Sequence, residues 1–81
     1  MKLSTEKAYQ LVLVAVRVDG TLKEPFTAKD LRPIIRGWPY TGYFSFLAYN
    51  CTDKLPVETA LFVRVSRGSY RIFDQIEYRQ H

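Results

Sequence analysis

Glycine and proline cut this chain into pieces too short for any large architecture. Asp19-Gly20 and Pro25 interrupt it once, Gly37 and Pro39 a second time, Pro56 a third, and Gly68 marks a fourth reversal. Proline lacks the N–H that a helix or ladder uses, and glycine supplies the positive φ that many turns need. Between these breaks lie three segments of helical periodicity and one pair of alternating segments, a pattern that predicts an α+β fold. The 81 residues suffice for a single domain, 1–81, whose one core must be well formed because small domains bury a smaller share of their surface.

Ser4-Thr5-Glu6-Lys7 sets two hydroxyl N-caps and an acid ahead of Ala8, Leu11, Val12 and Ala15, predicting a first helix from Thr5 to Arg17. A strand over residues 11–18 is the rival, since Val12, Val14, Val16 and Val18 alternate and β-branched residues suit strands. Thr27 opens a second helix, with Asp30 as its capping-box partner and Leu31, Ile34 and Ile35 as its apolar face. Pro33 restricts that helix: it falls beyond the first turn if Thr27 caps and within it if Asp30 caps, so the helix is short or kinked. Past Arg36-Gly37-Trp38-Pro39-Tyr40, Thr41 caps a third helix reaching Asn50 or Cys51. Phe44, Leu47 and Cys51 share one face of it with Tyr40 and Tyr43 beside them; Thr41, Ser45 and Tyr49 face away, and Phe46 falls between.

The segments Ala60–Ser66 and Ser69–Phe73 alternate as strands around Arg67-Gly68, predicting a hairpin, against which Phe26 adds a short strand. Leu11, Val12, Ala15, Leu31, Ile35, Phe44, Leu47, Val63, Val65, Tyr70 and Ile72 are the expected core. An arginine at the tip, flanked by Arg64 and Arg71, suggests contact with something negative, because Asn-Gly or Asp-Gly would serve a plain reversal.

Composition narrows the functional classes. Hydrophobic residues make up 47% and aromatics 15%, enough apolar mass to fold, which argues against disorder. Twelve Lys and Arg against eight Asp and Glu give +4, which permits a nucleic-acid or anionic partner without demanding one. Cys51 is the single cysteine, so an intrachain disulfide and a multi-cysteine zinc site are excluded and a cytoplasmic location is expected. The apolar run from Leu11 to Val16 is far below the ~20 residues of a membrane span. The single histidine, His81, stands at the terminus, and no acidic pair has a His or Cys at useful spacing. No catalytic constellation, metal site or cofactor site is therefore expected.

The order helix, extended connector, helix, tight turn, helix, basic glycine-tipped hairpin resembles the winged helix-turn-helix superfamily of DNA-binding domains. "PFTAKDLRPII", "RGWPYTG" and "VRVSRGSYRI" carry the resemblance, over residues 5–74. It implies a winged helix: three helices plus a small antiparallel sheet with a wing hairpin. It also implies a small transcriptional regulator whose third helix enters the major groove of double-stranded DNA while the wing lies over phosphates. On that resemblance Thr41, Gly42, Ser45, Tyr49 and Asn50 form the readout face, and Arg64, Arg67, Gly68, Ser69 and Arg71 the wing contacts. The segment between Gly37 and Asp53 holds no Lys or Arg, so bidentate guanine contacts are missing and Lys29, Arg32 and Arg36 supply charge from ahead of the helix. Backbone-dominated binding of modest specificity is the expectation.

Two other functions fit the same residues. An uncharged, aromatic third helix suits a protein-interaction module, with Trp38, Tyr43, Phe46, Ile76 and Tyr78 as interface residues. Ile76 and Tyr78 continue the alternation of the last strand with little core left to cover them, so a homodimer is expected, its wings about one DNA turn apart. A tail folded over the first helix is the monomeric alternative. The segment "RVSRGSYRIFD" also resembles the sheet of small basic ribonuclease toxins of the RelE type, although too little strand sequence follows it and the chain opens as a helix.

Overall fold

The computed structural model describes residues 4–74; Ile76 and Tyr78, with the alternation expected around them, lie outside these. The described chain is a mixed α+β fold of three helices and one two-stranded antiparallel sheet. Helix α1 spans Thr5–Leu13, α2 Ala28–Leu31 and α3 Tyr40–Tyr49; strands β1 and β2 span Phe62–Ser66 and Ser69–Ile72.

Ser4 rather than Thr5 caps α1, its Oγ accepting from the Lys7 N–H at 3.2 Å. The strand alternative over residues 11–18 is excluded, since the chain stays helical through them. From Val14 to Val18 the coil widens to a π-helix, the Asp19 N–H reaching the Val14 carbonyl at 2.8 Å. Ala8, Val12 and Ala15 form the buried stripe, and Leu11, expected in the core, stays 39% exposed at its outer edge. Two alanines in that stripe bring the helix close to the core, which leaves a flanking leucine no depth to reach.

The connector after α1 carries its own core residues, Leu22 and Phe26. Phe26 exchanges both backbone hydrogen bonds with Tyr70 at 2.8 Å, the expected short strand reduced to a single bridge. Alongside it, the Glu24 carboxylate accepts from the Ile72 N–H at 2.7 Å and satisfies a donor on the same edge of β2. Both bonds of the Thr27–Asp30 capping box form, at 3.0 and 3.4 Å. Pro33 keeps α2 to its single turn, and Leu31 accepts from Ile34 and Ile35 at 3.0 and 2.8 Å as the chain leaves the helix.

Helix α3 differs from expectation in cap and in rotation. Pro39, extended at φ −65° and ψ 159°, is the N-cap in place of Thr41, and its carbonyl accepts from Gly42 at 2.9 Å. The inward face is Tyr43, Phe46, Leu47 and Cys51, while Phe44 is 46% exposed. The aromatic partners set this rotation. Phe46 meets Phe62 edge-on at 5.2 Å and Trp38 at 5.3 Å, and the Tyr43 hydroxyl donates to the Ile35 carbonyl. With aromatics around most of the helix, the periodicity fits a stripe through Phe44 as well as one through Phe46.

Cys51 bridges β1 in parallel sense and Phe26 bridges β2, so the order across the sheet is Cys51, β1, β2, Phe26. Phe62, Tyr70 and Ile72 face the core. Val65 is 52% exposed, next to a register shift between Arg64 and Ser66, and Val63 is only half-buried opposite Arg71; neither joins the core as expected. Phe62 takes the inward position opposite Ile72, so strand alternation turns both Val63 and Val65 to the other face, one residue out of phase with the expected pattern.

Candidate functional site

Three of the predicted cations converge. Lys29, Arg32 and Arg36, spaced three and four apart, line an open hollow of about 540 Å³ with Pro33, Gly37, Trp38 and Tyr43. The capped turn of α2 and the irregular turns after it carry this spacing around the corner into Gly37, whose φ of 93° redirects the chain toward α3. Among the described residues, no acid lies within ion-pair distance of Lys29, Arg32 or Arg36. Cations held together without a counter-ion repel one another and favour an anion between them.

The hairpin cations divide. Arg67 is exposed at the tip, with no ion-pair partner among the described residues. Its backbone keeps negative φ while Gly68 takes 78°. The tip is therefore not the primed turn that demands positive φ at both positions, and arginine sits there without strain. Arg64 lies 3.9 Å from Asp53, which offsets its charge. Arg71 is half-buried and donates from Nη1 to the Ile72 carbonyl at 3.2 Å. Ser69 is half-buried as the first residue of β2.

The expected readout face is split. Gly42, Ser45 and Asn50 line a second hollow of about 460 Å³ with Thr5, Gly37, Trp38, Pro39 and Phe46, whereas Thr41 and Tyr49 are simply exposed. Asn50 is occupied structurally: its Nδ2 donates to the Phe46 carbonyl at 2.7 Å, and its own carbonyl accepts from Leu61 and Phe62 at 2.8 and 3.2 Å. Tyr43 and Phe46, expected at a protein interface, are core residues at 3% and 5% exposure. Trp38 is half-buried between the two hollows.

Sequence reasoning missed one surface feature. Tyr40 and Phe44 stand 54% and 46% exposed on α3 with their rings edge-to-face at 4.9 Å. Their separation of four residues was the available signal, since such pairs meet on one helix face.

Burial raises the phenol pKa of Tyr9, with Arg17 opposing and Asp74 reinforcing. It raises that of Tyr70 too, with Cys51 and Asp53 reinforcing and Arg64 opposing. Both shifts belong to packing. Among the described residues, no three His, Cys, Asp or Glu side chains cluster as a metal site, and no helix is long and apolar enough to cross a membrane. Comparison with protein-family models, curated proteins and solved structures found no match.

Proposed function

We propose that this chain binds double-stranded DNA through its backbone phosphates, as a domain of winged-helix layout with modest sequence preference. The observation that carries the reading is the convergence of Lys29, Arg32 and Arg36 on one hollow that no acid among the described residues lines, immediately ahead of α3. Phosphate contacts from Arg and Lys supply most of the affinity of such interfaces and carry no sequence information. Further support comes from the order of elements, in which Phe26 pairs with β2 between α1 and α2, and from Arg67 at the hairpin tip. Helix α3 offers hydroxyls at Thr41, Ser45 and Tyr49 but no charge, which favours positioning over base readout.

Fluorescence anisotropy of a labelled random-sequence duplex tests this. Binding is expected at micromolar strength or weaker, falling as salt rises. Replacing Arg67 lowers both affinity and salt slope, and replacing Ser45 does less. Absence of binding at low salt refutes the reading.

The exposed Tyr40–Phe44 pair, with Tyr49 63% exposed on the same helix, favours a second reading, a protein-interaction module. A second copy of the chain is the simplest partner, and such an association would persist at salt concentrations that abolish phosphate contacts.

A further inference from the structure

The hollow lined by Lys29, Arg32 and Arg36 has a component that contact with a duplex backbone does not use. Its wall is aromatic, formed by Trp38 and Tyr43 with Pro33 and Gly37 beside them. That wall is braced before any ligand arrives. The Trp38 ring lies 5.6 Å from Tyr43 and 5.3 Å from Phe46, and the Tyr43 hydroxyl is committed to the Ile35 carbonyl. In a duplex the bases are stacked inside and only phosphates meet such a rim. Cations grouped around an indole instead match a nucleotide whose base is unpaired, with phosphate on the guanidinium forks and base against the ring. The volume, about 540 Å³, falls within the roughly 300–1,000 Å³ of sites that take small ligands.

We infer that this hollow binds one unpaired nucleotide, its phosphate held by Arg32, Arg36 and Lys29 and its base stacked on Trp38. The inference deepens the nucleic-acid reading and rests on it for the source of the nucleotide, the frayed or single-stranded end of a DNA strand. The same chemistry would also accept a free nucleoside monophosphate, and the two sources separate by affinity.

Trp38 is the chain's single tryptophan, so its fluorescence reports on a ligand in either hollow it lines, and the arginine variant below assigns the signal to this one. The full chain is titrated with thymidine 5′-monophosphate, thymidine, inorganic phosphate, a short oligothymidylate and a blunt duplex. Saturable perturbation by the monophosphate is expected, at least about fivefold tighter than by inorganic phosphate, at the low end of what stacking one base on an aromatic contributes. Oligothymidylate binding tighter than the monophosphate assigns the site to strand ends; the reverse assigns it to free nucleotide. Arg32→Gln with Arg36→Gln, both exposed, weakens either ligand about tenfold or more while far-ultraviolet circular dichroism stays unchanged. Equal affinity for phosphate and nucleotide, or no saturable change with any thymidylate, overturns the inference. Duplex binding that survives such a result leaves the backbone reading standing, whereas nucleotide binding without duplex binding overturns that reading alone.

Discussion

Phe62 is where the packing converges. Its ring meets Tyr9 from α1 at 5.7 Å, Phe26 from the connector at 5.9 Å and Phe46 from α3 at 5.2 Å, all close to edge-on, and it is wholly buried. Truncating a buried aromatic costs about 3–5 kcal/mol, and a domain of this length has only about 4–12 kcal/mol in total. Phe62→Ala is therefore expected to move the urea midpoint sharply down, and an unchanged midpoint would show that this junction is not central. The sequence hid its importance, since Phe62 is one of five phenylalanines and gains its role only when three distant segments meet. The phenols give a pH signature. Burial raises the pKa of Tyr9 and Tyr70 above the ordinary phenol range, so the folded state holds these protons more tightly than the unfolded chain does. Their contribution to stability is intact below about pH 10 and is lost as pH rises through the folded values. Thermal melts across that window should show falling midpoints in the native chain, and Tyr9→Phe with Tyr70→Phe should flatten the fall.

At the level of elements, local signals were legible where side chain and backbone act within a few residues. The Thr27–Asp30 capping box is one such signal, and Thr27→Ala is expected to destabilise by about 1 kcal/mol in denaturant titration. The break at Pro33 and the reversal at Arg67-Gly68 were likewise readable. Gly68 isolates the conformational part of the turn, because a Cβ there meets nothing within 4 Å while φ is 78°. Gly68→Ala should cost about 1–2 kcal/mol through backbone strain alone, and a neutral result would mean that the hairpin tip relaxes. Nonlocal choices were not legible. Whether Phe44 or Phe46 faces inward depends on Trp38 and Phe62, and the strand phase that turns Val63 and Val65 outward depends on Phe62 packing against Tyr9, Phe26 and Phe46. The bond from the Ile72 N–H to Glu24 spans 48 positions, beyond any sequence pattern. Glu24→Ala is expected to leave that donor without its partner and to raise amide exchange at Ile72 selectively; protection equal to that of the native chain would remove Glu24 as a clasp.

Over the whole molecule, three short helices and one hairpin were readable from breakers and periodicity, while the grouping of side chains into a site was readable only in part. Charge alone points to Lys29, Arg32 and Arg36, and the structure brings them together; Gly42, Ser45 and Asn50, expected on the readout face, line a different hollow. Charge survives at the surface wherever the chain runs, whereas the outward face of α3 depends on packing that periodicity could not resolve. The central claim is that the cations ahead of α3 hold phosphates, and the salt dependence of duplex binding tests it most directly. Each phosphate contact contributes about 0.9 to the slope of log affinity against log salt. Arg32→Gln with Arg36→Gln should reduce that slope by about 2, while Arg17→Gln, whose native side chain lies 4.0 Å from Asp74, should leave it nearly unchanged. An unaltered slope in the double variant, or an equal reduction in the Arg17 variant, would contradict the claim.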